Sequence, residues 1–125
     1  MLGNKDAIAT IAVKNIEIAR KFYESTLGLK PVPTGESGVL GYKSGNSAVL
    51  VYESQYAGTN KATAATWMVG SDIEGVVQGL NAKGVTFERY DFPGSTRDGD
   101  IHVTGETKAA WFKDPDGNIL ALINQ

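Results

Sequence analysis

The feature that most constrains this fold is a strand, turn, strand pattern at residues 111–123. Two apolar runs, Trp111–Phe112 and 119–123, flank the sequence Asp-Pro-Asp-Gly-Asn at 114–118. Proline presets a φ suited to a turn, and Gly117 or Asn118 can take the left-handed conformation that closes it. The pattern predicts a β-hairpin. Asp114 and Asp116 look like paired catalytic carboxylates, but turn chemistry explains them, because short acidic side chains bond to nearby backbone.

The hairpin ends the second of two similar halves. The first half reads as a strand at 7–13, a helix capped by Asn15 and ended by Gly28, and strands at 29–33, 39–43 and 47–53. The second half reads as a strand at 63–69, a helix from Asp72 to Gly84, a strand at 85–92, a loop at 93–105 and the hairpin. The order β-α-β-β-β therefore occurs twice.

Such a duplication predicts an α+β fold of two tandem βαβββ modules, which form a curved mixed sheet around a cleft with one helix per module on the outer face. At 125 residues and 13.3 kDa, the chain is expected to be a single domain. We expect module one at 1–54, a linker at 55–62 and module two at 63–125.

Composition narrows the class of partner. The net charge of −2 gives no basic footprint for nucleic acid. There is no cysteine, which excludes disulfides and thiol nucleophiles. No apolar run reaches the length of a membrane span, and the first residues do not resemble a signal peptide. We therefore expect a cytoplasmic protein that binds neither nucleic acid nor membrane.

Three phrases carry a resemblance to a known family: Ala-Arg-Lys-Phe-Tyr at 19–23, Leu-Gly-Leu at 27–29, and Phe-Lys-Asp-Pro-Asp-Gly-Asn at 112–118. Together with the duplication, they resemble the vicinal oxygen chelate superfamily of glyoxalases, bleomycin-resistance proteins and extradiol dioxygenases. The resemblance implies a small organic ligand and a homodimer, whose modules pair within one chain or are exchanged between two.

The resemblance also implies where a metal would bind. Metal-dependent members take ligands from the first and last strands of each module, and the matching positions here are Ile8, Val49, Ala65 and Ala121. These side chains offer no oxygen or nitrogen donor. We therefore expect no metal and no cofactor, as in the bleomycin-resistance-like branch.

Without a metal, the cleft is expected to be apolar. Expected ligand contacts are Ile8, Thr10, Val49, Val51, Ala65, Trp67, Trp111 and Ala121. Trp67 is the foremost candidate, although its indole could instead fill the core. Glu53, Glu88 and Asp91 could attract a cationic ligand.

His102 is the only histidine. It could act as a general acid or base with Asp100 or Glu106, or be an exposed histidine in a loop that serves as a lid. The leading hypothesis is a metal-free protein that binds or sequesters an aromatic or cationic compound. The alternative is a glyoxalase-like lyase, isomerase or dioxygenase with non-standard catalytic residues. A third is an accessory module whose cleft is filled by its own side chains.

Overall fold

The computed structural model describes all 125 residues. In the first module, β1 is Ala9–Val13, α1 is Ile16–Arg20 and continues as a π-helical segment, Lys21–Thr26, and the remaining strands are β2 Lys30–Val32, β3 Val39–Ser44 and β4 Ser47–Glu53. The sheet order is β1-β4-β3-β2, with β1 parallel to β4. Asn15 caps α1, because its Oδ1 accepts the backbone N–H groups of Glu17 and Ile18 at 3.0 Å.

The second module repeats this arrangement with an addition. Its elements are β5 Thr63–Met68, a 3₁₀ turn Gly70–Asp72, α2 Ile73–Ala82, β6 Phe87–Glu88, β7 Thr96–Asp98, β8 Ile101–Thr104, β9 Thr107–Lys113 and β10 Ile119–Ile123. The sheet order is β5-β10-β9-β8-β7, and β6 pairs with the other half of β9. The predicted α+β fold of two βαβββ modules is therefore confirmed, with an extra hairpin, β7–β8. Neither helix is long and apolar enough to cross a membrane.

The two modules share one hydrophobic core. In β1, Ile11 and Val13 face α1, and in β10, Leu120 and Leu122 face α2. β1 lies beside β5, so the helix-covered faces of both sheets contribute to the same core cluster. The opposite side of each sheet, called here the helix-free face, carries no helix.

A buried polar network joins the modules. Tyr23 in the π-helical segment donates to Asp114 Oδ2 at 2.8 Å, and Asn118 Nδ2 donates to the same oxygen and to the carbonyl of Ala12. Burial raises the pKa of the Tyr23 phenol far above its ordinary value, and the adjacent Asp114 raises it further. Tyr23 therefore stays a hydrogen-bond donor at any physiological pH.

Three local predictions were wrong. Asp72 makes no side-chain capping bond, because the 3₁₀ turn places it in a different backbone conformation from Asn15. The strand predicted at 85–92 is reduced to β6, because the chain leaves the sheet after Glu88. The loop predicted at 93–105 contains β7 and β8, whose pairing around the turn at Gly99 adds two strands to the sheet. His102 therefore lies in a strand.

Candidate functional site

The helix-free face of the second sheet carries a cluster of four rings. β9 supplies Trp111 and β8 supplies His102, while Tyr90 and Phe92 come from residues 89–95, called here the strap, which join β6 to β7. Every pair of rings has centroids between 4.9 Å, for His102 and Trp111, and 5.9 Å, for Tyr90 and His102. These separations and the tilted or edge-to-face angles are favourable for aromatic contacts.

A cavity of about 760 Å³ lies beside this cluster, within the usual size range of small-molecule sites. Its aromatic lining is Tyr90, Phe92 and Trp111, and a further part of the lining comes from the segment between β4 and β5, around Gly58 and Lys61. Glu88 and Lys113 line the rim and form an ion pair at 3.2 Å. The cavity therefore combines an aromatic surface with one ion pair and one further cationic side chain, Lys61.

His102 lies beneath this surface. Only 3% of its surface is exposed, and its Nε2 accepts the backbone N–H of Tyr90 at 2.9 Å. Because Nε2 accepts a hydrogen bond, the proton of the neutral ring is on Nδ1. Nδ1 is buried without a hydrogen-bond partner. Of the two alternatives for this residue, the exposed loop histidine is wrong.

The strap is attached to the β7–β8 hairpin by side-chain contacts as well. Arg97 in β7 donates to the carbonyl of Tyr90 at 3.3 Å and pairs with Asp91 at 3.2 Å. Arg89 pairs with Asp100, in the turn of the hairpin, at 3.0 Å. Together with the bond to His102, these contacts hold the strap against the hairpin from Arg89 to Asp91. Burial is also the largest cause that raises the pKa of Tyr90.

The structure does not bring all of the expected ligand contacts onto one face. Ile8, Thr10, Ala121 and Trp111 lie on the helix-free faces, whereas Val49, Val51 and Ala65 belong to the helix-covered faces. A five-residue turn joins Lys113 to Ile119, but a two-residue turn joins Ser44 to Ser47. The two turn lengths differ by an odd number of residues. Val49 and Ala121, which each lie three residues after a Gly-Asn pair, therefore fall on opposite faces of their sheets.

Trp67 and Trp111 have different surroundings. Trp67 packs against the core, lines two smaller cavities of about 240 Å³ and about 630 Å³, and donates from Nε1 to Ser44 Oγ at 2.9 Å. Trp111 is on the opposite face from its neighbour Phe112, which is buried in the core. The larger aromatic cavity thus belongs to Trp111.

The residues present do not fit the family's metal. The pairings place Leu50 and Ala64, rather than Val49 and Ala65, on the same faces as Ile8 and Ala121. None of these six side chains carries a donor atom, and no group of three or more His, Asp or Glu side chains is close enough together to hold an ion.

The acidic residues singled out in the sequence lie apart. Glu88 lines the cavity but pairs with Lys113, Asp91 is largely exposed and pairs with Arg97, and Glu53 belongs to the first module. Asp100 bonds to Arg89 and Asn81. The hydrogen bond of His102 runs to the Tyr90 backbone rather than to Asp100 or Glu106. The geometry therefore offers no acid–base pair.

A sequence profile of the Glyoxalase/Bleomycin resistance protein/Dioxygenase superfamily matches residues 6–122. No curated protein matches the chain. The fold is similar to that of a glyoxalase family protein from Enterococcus faecalis, with 21% identity, a TM-score of 0.73 and coverage of 98% of this chain and 99% of that one.

Two further solved structures are similar. The fosfomycin resistance protein FosX from Listeria monocytogenes has 16% identity, a TM-score of 0.68 and coverage of 100% and 93%. A lactoylglutathione lyase from Agrobacterium tumefaciens has 14% identity, a TM-score of 0.71 and coverage of 98% and 95%. At these identities, the likeness establishes the fold alone.

Proposed function

Because this chain belongs to the Glyoxalase/Bleomycin resistance protein/Dioxygenase superfamily, we propose that it is a metal-independent small-molecule-binding protein that holds a planar aromatic compound against Trp111. The observation that carries the proposal is the cavity of about 760 Å³ walled by Tyr90, Phe92 and Trp111. Two similar proteins are named for fosfomycin resistance and lactoylglutathione lysis. Their names support a small-molecule role without identifying the compound.

An aromatic ligand suits the cavity better than a cationic one. Ring faces attract a cation, but the cavity lining also carries two lysines, Lys61 and Lys113, and its one carboxylate, Glu88, is already paired with Lys113. Stacking on an indole requires no charge and contributes about 0.5–1.5 kcal/mol beyond the burial of apolar area. The proposed activity is sequestration without bond chemistry, because no group of three or more acidic or histidine side chains is close enough to hold a metal, and His102 bonds to the backbone rather than to a carboxylate.

Replacing Trp111 with alanine is expected to weaken binding of a planar aromatic compound about 10- to 30-fold, because both stacking and apolar contact are lost. Isothermal titration calorimetry with a panel of naphthalene, acridine and phenazine derivatives would measure this loss. The wild type is expected to bind at least one compound with or without a chelator present.

The matched control is Trp67→Phe, which changes the other tryptophan at the two smaller cavities. We expect its affinity to stay within about twofold of the wild type, because its ring lies on the helix-covered face. Equal losses in the two variants would contradict the assignment of the site. Binding only after addition of Zn²⁺, Ni²⁺ or Mn²⁺ would contradict a metal-independent protein.

We further propose that the protein is a homodimer in which the helix-free faces are covered by a second copy. Several of the large exposed apolar side chains lie on these faces: Ile8, Val32, Tyr52, Met68 and Phe92. Such a concentration of exposed apolar residues is typical of an interface. Because the cavity opens on the same side of the second sheet, a partner would also shield a bound ligand from water.

Light scattering after size-exclusion chromatography is expected to give twice the chain mass of 13.3 kDa for the wild type and the single chain mass for Tyr52→Glu. A buried carboxylate without a partner strongly disfavours association. Ile18→Glu is the control, because Ile18 is even more exposed than Tyr52 but lies on α1. A wild type of single chain mass, or dissociation by both variants, would contradict the proposed interface.

A further inference from the structure

We propose that His102 is the positioning residue of the aromatic cavity: neutral His102 holds the strap against the sheet, and its protonation releases Tyr90 and weakens ligand binding. The predicted effect on ligand binding rests on the proposed function. The structural part of the inference, the attachment of the strap by His102, can be tested without a ligand.

The hydrogen bond from Tyr90 to His102 requires a neutral ring. The backbone N–H of Tyr90 points at Nε2 over 2.9 Å, so that nitrogen must present its lone pair. In the imidazolium both ring nitrogens carry protons, and Nε2 would then face another donor. Protonation therefore replaces an attraction by a repulsion at this contact.

The protonated ring would also lack any acceptor for its second N–H. Nδ1 is buried without a hydrogen-bond partner, and only 3% of the residue is exposed. The neighbouring rings attract a cation through their faces, but they do not replace a hydrogen-bond acceptor or the water lost on burial. The imidazolium is therefore stable only if the strap moves and admits water.

Movement of the strap would dismantle the cavity wall. Tyr90 and Phe92 both belong to the strap and provide two of the three rings that face the cavity. The third ring, Trp111, is held by β9 independently. We therefore expect acid to remove two aromatic walls while leaving the sheet intact.

The charged groups around the cluster form pairs with one another. Arg97 on β7 pairs with Asp91 of the strap, Arg89 pairs with Asp100 of the β7–β8 turn, and Lys113 on β9 pairs with Glu88 on β6. Their hydrogen bonds do not involve His102, which bonds to the Tyr90 backbone. The Tyr90 phenol stays neutral, because burial raises its pKa. Histidine is the residue type here whose charge ordinarily changes near neutral pH.

The test compares the wild type with His102→Gln, which keeps an acceptor oxygen on a side chain that does not titrate. The probe is N-phenyl-1-naphthylamine, a neutral aromatic fluorophore, titrated at intervals from about pH 8 to about pH 5. We expect wild-type affinity to fall by more than about twofold as the pH is lowered over this range, and His102→Gln affinity to stay constant within about twofold. Parallel losses in both proteins, or constant affinity in both, would overturn the inference.

A second measurement needs no ligand and no variant at His102. Hydrogen exchange of the wild-type Tyr90 amide, followed by NMR, is expected to become faster than that of β9 amides as the pH falls, after correction for the intrinsic pH dependence of exchange. If the protection of the Tyr90 amide relative to the β9 amides does not change with pH, His102 does not attach the strap. If the amide is released but the probe binds at no pH, the proposed function fails and the attachment stands. If the probe binds equally at every pH, the inference fails and the function stands.

Discussion

Replacing Asp114 with alanine is expected to lower the free energy of unfolding by about 3–5 kcal/mol. Asp114 is 5% exposed and accepts four hydrogen bonds: Tyr23 Oη and Asn118 Nδ2 at 2.8 Å, and the backbone N–H groups of Asn118 at 2.9 Å and Asp116 at 3.0 Å. The substitution leaves these donors buried without an acceptor. The free-energy penalty of an unpaired buried donor is larger than the net stability that its hydrogen bond contributes. Urea denaturation followed by circular dichroism measures the change.

Two other substitutions separate the contributions of this network. Tyr23→Phe removes one of the four donors and is expected to cost about 1–2 kcal/mol. Asp116→Ala, in the same turn, removes a carboxylate that accepts only the Lys14 backbone N–H at 3.2 Å, and is expected to cost less than about 1 kcal/mol. If Asp114→Ala is as mild as Asp116→Ala, the network does not hold the modules together.

The repeat and its turns could be read from the sequence because they depend on local chemistry. Asn15 makes the predicted capping bonds, and the Asp-Pro-Asp-Gly-Asn phrase forms a hairpin in which Gly117 has the positive φ. Of the two carboxylates, Asp114 serves the turn as predicted, since its Oδ1 accepts two backbone N–H groups of the same loop, whereas Asp116 accepts the backbone N–H of Lys14 in the other module. Such features involve residues a few positions apart and need no knowledge of tertiary packing.

The assignment of faces failed for a reason that lies in the connections. Counting from the helix cap placed Ala65 at the position of Ile8, but the 3₁₀ turn Gly70–Asp72 adds one residue between strand and cap. Counting from Gly-Asn placed Val49 at the position of Ala121, although their turns differ in length. A shift of one residue moves a side chain to the other face of a strand. The two modules therefore differ in the spacing of their elements as well as in the extra hairpin, β7–β8.

The aromatic site could not be assembled from the sequence, because its rings come from three separate elements. Tyr90 and Phe92 lie in the strap, whereas the predicted strand would have continued through them. The sequence did contain one signal of this hairpin. The phrase Asp98-Gly99-Asp100, which links the two short strands β7 and β8, is typical of a hairpin turn. Recognising it would have placed His102 in a strand, but not against Tyr90, since that contact depends on tertiary packing.

Replacing Gly58 with alanine is expected to lower the free energy of unfolding by about 2–4 kcal/mol and to weaken ligand binding. Gly58 has a φ of +72°, and an added Cβ would collide with the backbone carbonyl of Asp116. That carbonyl belongs to the turn anchored by Asp114, so it has little freedom to retreat. The segment around Gly58 must move instead, and this segment lines the cavity.

Gly35→Ala isolates the backbone contribution, because Gly35 has a similar φ of +70° but no atom within 4 Å of an added Cβ. It should cost only about 1 kcal/mol and leave probe affinity unchanged, since strain without collision does not displace the cavity wall. Urea denaturation and titration with N-phenyl-1-naphthylamine on both variants give the two readouts. If Gly58→Ala destabilises the fold but binds the probe normally, the segment between β4 and β5 is not part of the ligand site. Equal destabilisation by the two variants would show that the close approach to Asp116 does not constrain the chain.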